Sequence, residues 1–412
     1  MNTSKFIGCI MILIGTTIGA GILALSTESA AAGFPLASIL IVAIGILTII
    51  TGLMIIEVNL ALPSSACSFS SMAQQTLGTF GRVITWLSYL FLLYLITWAY
   101  ISGGTSLITN TVGYILPSKI PAWISAISFT LILGLPVFLG TKTVDYFNRG
   151  LISLKGFLLL ATLALILPHI DINKIIATQN IQQIKYLWIA TPVIILSFFY
   201  HSVIPSLRIY IGDKPQTLKN IVIYGATACL IVYLLWLATN LGVVPLIGDN
   251  SFTSLAQNGD DVGEFAKTIS TIINNKWVTS GFYGFSNIAM TTSFLGVTLS
   301  LFDFLADGFK IPDTRSGRSK TAILTFTPPL ALALLYPKGF ILALNYTSVF
   351  VAIISIVLPP LMVYRLRKSK HLKSPYRIFG GNTLLALVFT IGIALLILSI
   401  MASFNLLPSI KN

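Results

Sequence analysis

"GTTIGAGILAL" (Gly15–Leu25) decides how this chain is read. It lies inside an apolar run that begins after Lys5, yet it sets three glycines, Gly15, Gly19 and Gly21, beside the pair Thr16 and Thr17, where lipid would be satisfied by plain helix. The surroundings are those of a membrane protein. Of 412 residues 55% are hydrophobic and 9% charged, and the mean hydropathy is +0.90, so a charged shell around a soluble core cannot be assembled from them. Apolar stretches long enough to cross a bilayer, roughly 17 to 25 residues each, recur near 6–27, 37–61, 83–113, 122–140, 150–168, 187–207, 220–243, 281–305, 321–336, 339–364 and 383–406. The expected class is an all-α membrane protein of about eleven transmembrane helices, forming a single integral membrane domain over 1–412.

Other readings of the composition are weaker. Lys5, the apolar run and "SAAAG" imitate a secretory signal, but the run exceeds an h-region of about 7 to 15 residues. Cys9, Cys67 and Cys229 are solitary, with no partner spacing for a disulfide or a zinc site, so they read as packing residues, with no metal and no cofactor expected. The net charge of +13 follows topology rather than nucleic acid. With Lys5 in the cytoplasm and alternate loops counted, seventeen Lys and Arg fall on its side and seven on the other, Lys155 lying within a span. That asymmetry puts the N-terminus inside and, over an odd number of spans, the C-terminus outside. The densest part, "RLRKSKHLKSPYR" (365–377), also suits contact with anionic lipid headgroups.

A second interrupted span answers the first. "SFFYHSVIPSL" (197–207) carries His201, Ser202 and Pro205 within apolar sequence. Interrupted helices at corresponding places in two halves point to a transporter site built on an inverted repeat of five helices plus five. Repeat one is expected over about 6–168, repeat two over about 187–364, and an extra helix over 383–406. Irregular backbone at membrane depth persists only where protein or a wet cavity satisfies its N–H and C=O groups. A break within Gly15–Gly21 would offer free amides to a carboxylate and helix-end carbonyls to an ammonium, a pairing that suits a zwitterionic amino acid. Close packing of small residues between helices is the alternative.

These residues also carry a resemblance. "GTTIGAGILAL", "YISGG" (100–104), "DYFNRG" (145–150), "FFYHSVIPSL", and above all "TSFLGVTLSLFDFLAD" (292–307) followed by "YPKGF" (336–340) resemble the hydroxy and aromatic amino acid permease family, most of all its tyrosine-transporting branch. The likeness runs over nearly the whole chain. It implies an inner-membrane symporter of the leucine-transporter-like fold, in the amino acid, polyamine and organocation superfamily, with helices 1 and 6 broken. The implied activity is proton-driven import of an aromatic amino acid, with tyrosine expected; tryptophan or a broad aromatic range, and sodium coupling, are the alternatives. The family's "GAGxLALP" is altered here, since Ser26 replaces the proline and Glu28 stands where a small apolar residue is common. Glu28 reads as a solvated helix end, with gating as the alternative.

The candidate site residues follow. Thr16, Thr17, Gly19, Ala20 and Gly21 are expected to hold the carboxylate, and Tyr94, Trp98, Phe199, Tyr200, His201 and Ser202 the side chain, aromatic surface being what an aromatic ring packs on. Lys155, an ionisable group within a span, is the expected proton carrier. Some relatives of this fold place a lysine where sodium-coupled members bind sodium; snorkelling to the surface is the bland alternative. Thr292 and Ser293 are candidate cation ligands, and Asp303 and Arg149 candidate gate or ion-pair residues, Asp303 within reach of Lys155 or Arg149. "VGEFAKTISTII" (262–273) reads as an amphipathic outer helix, lid or plain surface. A channel and a membrane-embedded enzyme are the competing classes. Channels use oligomeric pore rings, and no "HExxH" or Gly-x-Ser-x-Gly elbow is present.

Overall fold

The computed structural model describes residues 3–19, 21–63, 68–115, 120–176, 181–259 and 261–408. The expectations on Ala20, Cys67 and the side chain of Arg149 lie outside what is described. The described residues form helices and no strand.

The first apolar stretch is two helices, α1 (Thr3–Thr17) and α2 (Gly21–Ser29), with the chain leaving helical geometry between them. α3 (Gly33–Leu60) follows a short 3-10 turn at Ala30–Ala32, where Gly33, at φ 73°, takes a conformation that a side chain would strain. α4 (Phe69–Ile115) turns at Gly78 (φ 74°), so a short segment precedes the long one. α5 (Ala122–Leu139), α6 (Thr141–Ile166) and the short α7 (Ile172–Ile176) lead to the second interrupted stretch. There α8 (Leu187–Ser197) gives way to non-helical Phe198, Phe199 and Tyr200 and a 3-10 turn at His201–Val203, before α9 (Ile204–Ile211) with Pro205 in its first turn. That is where a missing N–H is harmless. The remainder is α10 (Pro215–Val243), α11 (Phe252–Gln257), α12 (Val262–Ile273), α13 (Lys276–Gly308), α14 (Arg315–Leu335), α15 (Phe340–Ala352), α16 (Leu358–Lys368) and α17 (Gly381–Ser403). A π-turn at Ile353–Val357 joins α15 to α16 just ahead of Pro359 and Pro360, whose missing N–H groups would leave carbonyls of the preceding α-helical turn without donors.

Nine helical runs among the described residues are long and apolar enough to cross a membrane. α1 is too short on its own, and α14 opens with Arg315, Arg318 and Lys320, which dilute its apolar run. One of the nine, Gly21–Leu60, spans 40 residues, far more than the roughly 20 that one crossing needs, because it joins α2 to α3 through the turn at Gly33.

Burial sorts the helices. The run through α15 and α16 is 72% buried and the run through α8 and α9 67%, whereas α17 is 28% buried despite being highly apolar. A helix apolar all round and barely buried by protein is covered by lipid. The second interrupted stretch and the α2 half of the first therefore lie at the centre: α2 packs on α8 and α10, and α3 on α8 and α10. Gly45 and Gly52 on α3 make the second contact possible, since a Cβ on either would stand about 3.1–3.2 Å from the rings of Phe198 and Tyr200.

The end of α3 is tied twice. Buried Glu57 accepts a two-pronged bond from Arg367 (2.7 and 2.8 Å) and a third from the Ile378 amide (2.8 Å). Arg208, at the end of α9, donates to the carbonyls of Asn59 and Leu62 (2.9 Å to the latter) and pairs with Asp213 at 2.7 Å. The guanidinium beside Asp213 holds its carboxyl below the usual range.

Candidate functional site

A helix that stops at membrane depth leaves its last carbonyls without intrahelical donors. At the end of α1 two of these face Lys155. This side chain reaches across from α6, only 4% exposed, and its ammonium donates to Gly15 O at 3.0 Å and Ile18 O at 2.9 Å. It is neither snorkelling to a surface nor paired with Asp303. Crowding does not demand a glycine at Gly15: a Cβ there would meet only Ile152, at an ordinary 3.7 Å. Cys229, expected to be plain packing, lies with its thiol against Thr17 in this same cluster.

The next glycines fix how close the neighbours come. A Cβ on Gly19 would stand 3.0 Å from Ser293 Oγ and 3.5 Å from the Tyr100 hydroxyl, two groups that are themselves hydrogen-bonded. A Cβ on Gly21 would fall 2.6 Å from Ser197 Oγ and 3.2 Å from Ser197 Cα. The two breaks thus touch, α2 starting against the end of α8. Tyr233 on α10 spans them, its buried hydroxyl lying 2.9 Å from Thr17 O and 2.6 Å from Ser197 O. Tyr233, Ser197 and Cys229 were not singled out as site residues by the sequence. Tyr233 sits in "IVYLLWL", one tyrosine among 15, with no local signal to mark it.

Other expected residues lie elsewhere. Thr16 is exposed and bonds Ile12 O (2.8 Å), Thr17 bonds Leu13 O (2.6 Å), and Thr292 bonds Ile288 O (2.9 Å), so these three hydroxyls serve their own helices. Ser293, not Thr292, faces the first break. Tyr94 turns to α14 and bonds Leu324 O (2.9 Å), and Trp98 packs on Tyr336 and Gly339. Tyr100, the next aromatic along, is the one at the break. The second break faces α3: Tyr200 donates to Thr48 O (2.8 Å), and His201 Nε2 pairs with Thr51 Oγ1 (2.8 Å), its ring stacked on Tyr200 with centroids 4.8 Å apart. His201 is fully buried and its Nδ1 has no hydrogen-bond partner. Phe199 is half-buried against His201 and Ser202 half-buried beside it. Glu28 corrects the expectation of a solvated end, being only 8% exposed because α2 is enclosed on nearly every side.

Asp303 belongs to a separate cavity of about 580 Å³, shared with Asp307, Lys310, Thr141 and Arg318. Arg318 spans it, over the Phe302 ring at 5.2 Å and bonded to Asp313 (2.9 Å) and Phe138 O (2.8 Å). The Val262–Ile273 helix forms as read, with its buried face on α4 and α13. Asp261 caps it, accepting from Gly263 N (3.0 Å) and from Ser106 of α4, and burial pushes its carboxyl up to about 6.

Two interrupted helices meet here, with their end carbonyls taken up by a lysine ammonium and a phenol. Comparison with known proteins decides the class of the protein. The model of the tryptophan/tyrosine permease family matches residues 2–399. The chain belongs to that family. Among relatives of this permease, a tryptophan-specific transport protein of Shigella flexneri is 33% identical, the match covering 99% of this chain and 97% of the relative. One from Pseudomonas aeruginosa is 34% identical over 99% and 97%. A tyrosine-specific transport system of Haemophilus influenzae is 32% identical over 95% of each. Likeness divides between the two substrates, so the leaning toward tyrosine is not sustained and the family is what the likeness identifies. A permease moves its solute unchanged, which sets aside the enzyme reading.

Proposed function

We propose that this permease is a secondary active transporter that imports an aromatic amino acid, tryptophan or tyrosine, across the bacterial inner membrane together with protons. The observation that carries the reading is the Lys155 ammonium on Gly15 O and Ile18 O. A charged donor at a helix C-terminus strengthens both hydrogen bonds and complements the helix dipole. Loss of its proton weakens both, freeing the end of α1 to move against α6. One titration is thereby linked to one helix end beside the substrate, which is what symport by alternating access requires. A sodium ion would need the same carbonyls, and the chain fills them with its own cation.

The amides at the start of α2 suit the substrate carboxylate, and carbonyls at the ends of α1 and α8 suit its ammonium. The topology that goes with this reading is five helices plus five around the two breaks and an eleventh, α17, outside the repeat, with the N-terminus cytoplasmic and the C-terminus periplasmic.

Uptake of labelled tryptophan and tyrosine into proteoliposomes, driven first by an inward proton gradient and then by an inward sodium gradient, tests it. Proton-driven accumulation is expected, and Lys155→Ala is expected to abolish it while leaving exchange of substrate across the membrane. Accumulation driven by sodium alone, or untouched by the substitution, rejects the lysine mechanism. Absence of saturable movement of either amino acid rejects the substrate class.

A further inference from the structure

Lys155 takes up Gly15 O and Ile18 O, but the carbonyls of Thr17 and Ser197, the last residues of α1 and α8, converge elsewhere, on Tyr233. Its ring is held in place: Tyr233 is fully buried, with Phe198 edge-on at 5.1 Å. Gly21 lets the two helix ends approach, since any side chain there would strike Ser197.

A phenol hydroxyl owns one hydrogen. Two carbonyl oxygens lie at hydrogen-bond distance, 2.6 and 2.9 Å, so that one hydrogen is divided between them. Three oxygens therefore share one proton. Buried acceptors in that condition are costly, and the group that relieves them is a donor bearing positive charge. An ammonium brings three hydrogens, one for each oxygen. Lys155 is already engaged on the other two carbonyls, so the protein's own nearest ammonium is not the one this cluster awaits.

We infer that Tyr233 determines specificity for the α-ammonium group: its hydroxyl, with Thr17 O and Ser197 O, completes the acceptor set that recognises the N–H hydrogens of the transported amino acid. This rests on the transport reading above and adds a side chain from α10 to a site otherwise made of backbone. Tyr233 also joins the two breaks through that recognition, because a substrate ammonium bound there holds α1 and α8 together.

Competition binding against labelled tryptophan and tyrosine, on purified protein in nanodiscs, tests this with three unlabelled ligands: the amino acid, its des-amino analogue (the 3-arylpropanoate) and its N,N,N-trimethyl derivative. The last keeps the charge and has no hydrogen to donate. In the wild type the amino acid is expected to bind at least about tenfold more tightly than either analogue, the scale of a charge-assisted hydrogen bond. Tyr233→Phe, which keeps the ring, is expected to lower amino acid affinity by about that factor and leave both analogues unchanged. Phe198→Leu, a packing change, should move all three together. A trimethyl derivative that binds as tightly as the amino acid overturns the inference in the wild type alone, whether or not the variant folds. So does a Tyr233→Phe protein with an undiminished preference for the amino acid. Neither result touches the transport reading, which falls instead if the wild type binds no aromatic ligand at all.

Discussion

The two interrupted helices meet at Gly21 and Ser197 but are held in opposite ways. The first break is satisfied from outside itself, by an ammonium from α6 and a phenol from α10 acting on bare carbonyls, with Gly19 and Gly21 admitting close neighbours. The second is satisfied largely within one neighbour, Tyr200 and His201 laying their rings on α3 and bonding at Thr48 and Thr51. Its own backbone closes two more bonds, Phe198 N to Ile195 O and Phe199 N to Leu196 O. The first break therefore carries the titratable contact and the second the stiff one. A helix end held by one charge changes when that charge is lost, whereas one held by stacked rings on a glycine-lined helix does not.

Gly21→Val should break the arrangement most severely. Its side chain would displace Ser197 at a backbone atom 3.2 Å away, which no rotamer relieves, so transport should fall by about a hundredfold or more, the scale of an ångström-sized misplacement in a preorganised site. Gly19→Ala meets the Ser293 hydroxyl at 3.0 Å, which can swing away, and should retain measurable uptake. Initial rates in proteoliposomes for both variants check this; equal losses would mean that the breaks do not depend on that one contact. Lys155→Ala comes next. It leaves Gly15 O and Ile18 O without their donor, about 1–3 kcal/mol for each buried acceptor, and should lower the melting temperature as well as abolish accumulation.

Much of this was readable because its signals are local. Glycines and a proline in apolar runs mark the breaks wherever the helices later go, and a single lysine within a span stands out by charge alone. What faces what was not readable. Tyr94, Trp98 and Tyr100 look alike in the sequence, yet only Tyr100 reaches the first break, because rotation about α4 sends the other two to α14 and to the turn that follows it. His201 turns to α3 because Gly45 and Gly52, some 150 residues earlier, leave space for the rings of Phe198 and Tyr200. The burial of Glu28 depends on how tightly α2 is enclosed, which its own sequence does not express.

The contrast is sharpened by Thr51→Val. If the second break is a structural anchor, removing the hydroxyl takes away the side-chain partner of the buried His201 Nε2, and costs about 1–3 kcal/mol. The loss should appear as a lower melting temperature, with KM for tryptophan and tyrosine within about twofold of the wild type, as for a change outside the binding contacts. A tenfold rise in KM without loss of stability would mean that His201 serves the substrate, and that the second break is not the stiff one.

The smallest effect is expected away from both breaks, where α12 is pinned to α4 six residues beyond Tyr100. Asp261 caps α12 through Gly263 N and takes a bond from Ser106, with Glu264 and Lys338 as its charged neighbours. Burial raises its carboxyl from 3.8 to about 6, so the folded state holds this proton more firmly than the unfolded chain does. The contact is then strongest below pH 4 and weakens as pH rises through 6. Hydrogen exchange of the α12 amides, corrected for the intrinsic pH dependence, should show opening that becomes several-fold more favourable between pH 5 and 7.5. Asp261→Asn should abolish that dependence, while the Lys155 variants should retain it, because the proton on this outer cap and the proton beside the first break belong to different elements. A pH dependence of α12 opening that disappears in Lys155→Ala would join the two sites and make the cap part of the same titration.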